Sequence, residues 1–253
     1  MKRVKEFVRQ SIRSAGYDLV PFKPTHMGES PLHDIHTLIG PKKSLLIFDV
    51  GANFGQSARE FKGMFADSSI HCFEPSPSTY AQLEKNCAAW RLKDVTTWNN
   101  GVGSQNAKLT LLENEKPDMS SFLSPDEFCD GQITKKSEVD VITLDEFVAK
   151  QDISFIDILK TDTQGYDSEV LKGAEGLLRD GRIGMVLTEV IFSKQYVGSA
   201  PFDEMFRFLT ERDYSLVAFY KQHFQKRLLS WTDMLFINKK YMEGTVQGSD
   251  AKG

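Results

Sequence analysis

Four carboxylates stand where apolar runs end. Asp49 follows Leu45-Leu46-Ile47-Phe48, Glu74 follows His71-Cys72-Phe73, Asp162 follows Ile158-Leu159-Lys160-Thr161, and Glu189 closes Leu187-Thr188. An acid at the carboxyl end of a buried strand faces the edge where open α/β sheets bind their ligands. There it can accept hydroxyl hydrogen bonds, take a proton, or hold a hard cation. The first acid runs directly into Val50-Gly51-Ala52-Asn53-Phe54-Gly55-Gln56, a glycine turn that opens a helical pattern. Gly51 and Gly55 are expected to let a ligand approach the backbone, and the helix N-terminus offers unpaired N–H groups. Glu74, at the next strand end, is placed to accept from the two hydroxyls of a ribose. Together these residues point to a nucleoside-containing cofactor.

The glycine spacing narrows the choice. Gly51-x-x-x-Gly55 lacks the third glycine of the dinucleotide fingerprint, Gly-x-Gly-x-x-Gly, which packs helix against strand around a pyrophosphate. A methyl donor such as S-adenosyl-L-methionine has no phosphate in its bound portion and fits this turn better than NAD does. Asn53 is placed to meet the methionine end or to stabilise a left-handed turn. Asn100 and Gly101, after a third strand, lie where an adenine edge is expected.

Elements that position these residues follow from periodicity. Strands are predicted around Leu45–Val50, at His71–Phe73, and at 95–98, 155–161 and 183–191. Between them, Phe54, Ala58, Phe61 and Phe65 share one helical face, and Tyr80, Leu83, Cys87 and Trp90 share another. Ser76 caps the latter helix with Pro77 at its first position. A helix bearing Val170, Leu171, Ala174, Leu177 and Leu178, and a later one at 202–209, complete the alternation. Strands alternating with helices imply a parallel sheet covered on both faces. Tyr214–Tyr220 and Trp231–Ile237 read as consecutive strands with no helix between them, which adds an antiparallel element.

Composition bounds the rest. The chain has 253 residues and a formal net charge of −4, which argues against a nucleic-acid-binding face. Cys72, Cys87 and Cys129 show neither a disulfide framework nor a metal spacing, so a reducing, cytoplasmic setting is expected. No apolar run reaches membrane-spanning length. Residues 1–43 are expected to form an N-terminal helical cap, 44–240 the catalytic domain, and 241–253 a disordered tail. Within the cap, Lys2, Arg3, Lys5, Arg9 and Arg13 face Glu6 alone, while Val4, Phe7, Val8 and Ile12 share a face. A helix docked on the domain is the preferred reading, and peripheral contact of residues 1–15 with an anionic membrane the lesser one.

The sequence resembles the FkbM family of S-adenosylmethionine-dependent methyltransferases. The resemblance is carried by Asp49-Val50-Gly51-Ala52-Asn53-Phe54-Gly55, Phe73-Glu74-Pro75-Ser76-Pro77, Asn100-Gly101-Val102-Gly103, Ser120-Ser121-Phe122, Ile158-Leu159-Lys160-Thr161-Asp162 and Trp231-Thr232-Asp233. It runs from about Leu45 to Asn238. Two positions depart from the family: Gly101 stands where alanine is usual, and Thr163-Gln164 replace a hydrophobic residue and glutamate. The glycine is expected only to loosen packing, and the resemblance assigns Gln164 no catalytic role.

The resemblance implies a class I methyltransferase fold, a Rossmann-like seven-stranded sheet with helices on both faces and the last strand antiparallel. It implies methyl transfer to a hydroxyl of a glycan or secondary metabolite. Cofactor contacts are expected from Asp49, Gly51, Asn53, Gly55, Glu74, Asn100, Gly101 and Ser121. An alcohol is a poor nucleophile at neutral pH, so a base is needed near the acceptor. Asp162 is the first choice, with Glu189 and Lys160 beside it. Lys160 is placed either to hold the acceptor or to form a buried ion pair. Magnesium on Asp162 and Glu189 is a lesser expectation, because no second acid follows Glu189. Residues 113–137 are expected to form a loop that covers the acceptor. An NAD-dependent oxidoreductase and a cofactor-binding protein without turnover are the alternatives.

Overall fold

The computed structural model describes residues 27–40 and 44–250. The basic face of residues 1–15 lies outside the described residues. Helix α1 (Pro31–Ile39) precedes β1 (Leu46–Val50), α2 (Gln56–Met64), β2 (Ser69–Phe73), α3 (Pro77–Ala89) and β3 (Val95–Trp98). Then come β4 (Gly101–Val102), β5 (Ala107–Asn114), β6 (Ile133–Ile142), α4 (Leu144–Lys150), β7 (Ile156–Thr161), α5 (Asp167–Lys172) and α6 (Glu175–Arg179). The chain ends in β8 (Ile183–Ile191), α7 (Phe202–Thr210), β9 (Tyr214–Gln225), β10 (Leu228–Asn238) and α8 (Lys239–Asp250).

Seven strands form the main sheet in the order β3-β2-β1-β7-β8-β10-β9. The first five are mutually parallel, and β10 runs antiparallel to both neighbours. Alternation along β1 divides the core. Phe48 and Val50 pack with Phe147, Leu159 and Leu171 on one face, while Ile47 packs with Phe61, Leu83 and Ile158 on the other. This is the α/β arrangement expected, and the same pleat puts successive strand-end side chains at the carboxyl edge. Helix α3 begins as its sequence dictates: Ser76 Oγ accepts from Thr79 N, and Pro77 occupies the first turn.

Two regions differ from expectation. The segment 113–137 is loop over 115–132 as expected, but its two ends belong to β5 and β6, which pair antiparallel and, with β4 joined to β6 in parallel, make a three-stranded sheet. Lys and Glu side chains face solvent along β6, and only a small cluster of Leu111, Val139 and Val141 is buried beneath. Residues 115–132 remain as a strap. The second difference is α8, whose helix runs to Asp250 through the segment expected to be disordered. Asn238 Oδ1 accepts from Lys240 N and Tyr241 N, which caps that helix, and the Tyr241 hydroxyl donates to Asp157 Oδ1 at 2.9 Å.

Candidate active site

A cavity of about 320 Å³ opens at the carboxyl edge of the main sheet, between the β1 turn, the small sheet and the strap. Its wall includes Gly51, Asn53, Glu74, Asn100, Gly101, Ser121, Asp162 and Glu189, as the sequence led us to expect. It also includes Asp118, Gln164, Gln195, His223 and Trp231. Asp49, Gly55 and Lys160, expected in contact with cofactor or acceptor, do not line it.

The glycines act differently from expectation. Gly51 has φ 78°, and a Cβ there would lie 2.0 Å from the backbone oxygen of Asp162. The chain just past β7 approaches closely here, and Gly51 also lines the cavity. The turn is further fixed because Gly51 N and Ala52 N both donate to the Phe73 carbonyl. Gly55, φ 88°, precedes α2 in the left-handed region, where a Cβ would meet Leu83 Cδ1 at 2.8 Å. Gly101 is likewise not loosely packed: the Phe122 ring fills the space, 2.7 Å from a Cβ that alanine would add.

Glu74 ends β2 and is 7% exposed. Its Oε2 accepts from Asn53 N and its Oε1 from Ser76 N, each at 2.9 Å. A carboxylate has about four acceptor positions, so both oxygens keep capacity for further donors. Burial pushes the Glu74 carboxyl up to about 7, against the pull of those two N–H groups. Asn53, with φ 48°, carries a buried Oδ1 that has no hydrogen-bond partner among the described residues. A buried acid with spare acceptor capacity next to an unanswered acceptor suits the hydroxyls and ammonium of S-adenosyl-L-methionine. The residues present fit that group.

A stripe of charge crosses the carboxyl edge. Lys160 Nζ lies 3.2 Å from Asp49 Oδ1 and 3.5 Å from Asp162 Oδ2, with the lysine side chain 12% exposed. Burial alone would lower its pKa, but the two carboxylates hold it charged and well above the usual lysine range. Lys160 and Asp49 thus form a buried pair behind the wall, because the pleat turns both into the α2 side of the sheet. Asp162 remains partly open to the cavity. Glu189, paired in register with Asp233 across β8 and β10, is raised well above its ordinary range by burial and then by Asp162, Asp167 and Asp233. Its hydrogen-bond donor is Gln164 rather than Lys160.

Gln164 is the residue whose importance the sequence did not disclose. From a left-handed backbone at φ 55°, its Nε2 donates to Asp162 Oδ1 at 3.1 Å and to Glu189 Oε2 at 3.4 Å. The Tyr196 hydroxyl donates to its Oε1 at 2.9 Å, which orients the amide toward the two acids. Ser121 Oγ donates to the Gln164 carbonyl at 2.8 Å, so Ser121 latches the strap to this loop. Asn100 Nδ2 reaches the Asp140 carbonyl at 3.4 Å. The strap is sewn to the loop after β8 by Asp126 N to Gln195 O, Phe128 N to Lys194 O and Val197 N to Ser124 O. At the far end His223 and Trp231, on the β9–β10 hairpin, stack with ring centroids 4.5 Å apart and planes within 4°. Their separation along the chain carries no motif, and only the hairpin brings them together. Among the described residues, no group of three or more His, Cys, Asp or Glu is arranged to hold a metal ion. No helix among them is long and apolar enough to cross a membrane.

Comparison with known proteins agrees with this geometry. The chain is 27% identical over 173 residues to the 2-O-methyltransferase NoeI of Sinorhizobium fredii (strain NBRC 101917 / NGR234), covering 63% of this chain and 69% of that one. It is 26% identical over 144 residues to Methyltransferase 1 of Beauveria bassiana (strain ARSEF 2860), covering 51% of this chain and 58% of that relative's length. A solved METTL16 methyltransferase domain, 12% identical, matches with a TM-score of 0.50 over 81% of this chain and 65% of that chain, which shows a class I methyltransferase fold. The model of the methyltransferase FkbM domain matches residues 49–216, from the acid of β1 to the start of β9. The chain belongs to the FkbM family of S-adenosylmethionine-dependent methyltransferases.

Proposed function

We propose that this protein transfers a methyl group to a hydroxyl of a sugar or another small hydroxylated molecule. The observation that carries the reading is the pair Asp162 and Glu189, bridged by the Gln164 amide on the wall that also carries Glu74. The relation to a 2-O-methyltransferase supports transfer to oxygen. When bound, S-adenosyl-L-methionine supplies an electrophilic methyl group. The protein's tasks are to orient the acceptor, exclude water and accept the hydroxyl proton. Asp162, partly open to the cavity, contacts the hydroxyl and takes its proton. Glu189, more basic than an ordinary carboxylate, stands next to it through Gln164. Lys160 holds Asp162 in place without reaching the acceptor. The strap, fastened through Ser121 and Tyr196, covers the cavity.

The test is transfer of labelled methyl groups to a panel of glycans and hydroxylated metabolites, with wild type and Asp162→Asn. Transfer to oxygen that Asp162→Asn slows supports the reading. Binding of S-adenosylhomocysteine without transfer to any member would favour a cofactor-binding protein without turnover. Transfer only to nitrogen or carbon would refute the oxygen assignment.

A further inference from the structure

The cavity wall is unusual in the sign of its charges. Beyond Glu74 at the cofactor end, Asp118, Asp162 and Glu189 line it, and among the described residues no lysine or arginine does. The nearest buried cation, Lys160, lies behind the wall and is already engaged by Asp49 and Asp162. The one basic ring on the wall among the described residues, His223, lies flat on Trp231. Asp233 adds a further carboxyl beside Glu189 on the neighbouring strand. Enclosed sites that take phosphate or carboxylate supply cations or a cradle of free N–H groups. The acceptor end here has the opposite character, with carboxylates that already repel one another: Asp162 is among the groups that lift Glu189.

We infer that the cavity selects its acceptor by charge, taking a neutral or ammonium-bearing hydroxylated ring and rejecting phosphorylated or uronate forms of the same ring. The inference rests on the oxygen-transfer reading for the chemistry, but the charge preference is a property of the wall. An anion entering this cavity loses its hydration, finds no lysine or arginine on the described wall, with Lys160 already engaged by Asp49 and Asp162, and faces carboxylates across a low-dielectric space. An ammonium group gains from the same field, and an uncharged ring needs only hydrogen bonds and the His223–Trp231 surface. Discrimination of this kind works by leaving the wrong partner's charge unpaired.

The experiment uses the full chain saturated with S-adenosylhomocysteine and three methyl glycosides of one hexopyranose: neutral, 2-amino and uronate. Calorimetry reads their binding, and labelled-methyl transfer reads turnover in parallel. Neutral and amino forms are expected to bind at least about tenfold more tightly than the uronate. Asp118→Lys, at the exposed rim, should narrow that gap several-fold by supplying the missing cation. Equal or tighter uronate binding overturns the inference, and so does an absence of binding by all three. Ordered binding without transfer to oxygen would uphold the charge selection while refuting the proposed reaction.

Discussion

Assigning Glu74 to the ribose predicts that cofactor binding is a proton-linked event. Its carboxyl is held near 7 in the free protein because burial outweighs two backbone N–H donors. Ribose hydroxyls donate to the ionised form, so binding must first empty the proton from that site. If the bound carboxyl returns toward its ordinary value, apparent affinity scales with the ionised fraction. Affinity should then be about tenfold weaker at about pH 6 than at about pH 8, equivalent to about 1.4 kcal/mol. At neutrality about half a proton should leave for each cofactor bound. Calorimetry in two buffers of different ionisation enthalpy measures that release directly. Other groups titrate nearby, including the cofactor's own amine and Asp167 and Asp233, which burial raises to about 6. The signal is therefore the difference between wild type and Glu74→Gln. The same shift has a consequence for stability without ligand. A carboxyl raised in the fold contributes stability that is full below its unfolded value and lost as pH rises through about 7. Glu74→Gln should flatten that loss. Affinity that is level from about pH 6 to 8, with a release no different from the variant's, would remove Glu74 from the ribose.

Further outcomes follow from the same geometry. Glu74→Ala should weaken S-adenosylhomocysteine binding by about 1.5–3 kcal/mol, read by calorimetry, as for loss of a charged hydrogen-bond partner. Asp162→Asn should leave that affinity nearly intact but slow turnover about a hundredfold, whereas a structural Asp162 would lower the melting temperature with specific activity preserved. Gly51→Ala should cost about 2–4 kcal/mol in denaturant unfolding, because the added methyl meets a backbone oxygen that cannot swing aside. Turnover by the wild type is expected to survive chelator treatment, and its abolition would bring back magnesium on Asp162 and Glu189.

The parallel half of the sheet was legible because each strand is an apolar run that stops at a polar residue, as in Ile158-Leu159-Lys160-Thr161-Asp162. Strand ends carry the cavity-lining acids for the same reason, so the positions of Glu74, Asp162 and Glu189 were legible. The small sheet was not legible. Its strand β6 is mostly exposed, with Lys135, Lys136 and Glu138 along it, and only cross-strand pairing marks it as β. The glycine turn was recognised, but nothing in Gly51-x-x-x-Gly55 reveals that the Asp162 carbonyl also packs against Gly51. Gln164, Gln195, Tyr196, His223 and Trp231 meet through the strap and hairpin rather than through a sequence period. A glutamine or a lone aromatic at such places looks like any surface or core residue until the chain is folded.

The place of β1 inside the sheet, between β2 and β7, governs how the protein is made. Its second neighbour is β7, and Leu46 N donates to the Asp157 carboxylate 111 positions further along the chain. During synthesis at about 5–20 residues per second, β1 waits roughly 5–20 seconds for that partner to appear. Until then one edge of β1 has no strand beside it, and Ile47 and Phe48 have only part of the surfaces that later cover them. The Gly51 turn also has no Asp162 carbonyl to rest on, so neither the cofactor nor the acceptor end can be assembled early. A nascent chain that has passed α4 is therefore a candidate for chaperone capture, whereas one that has passed β8 is not.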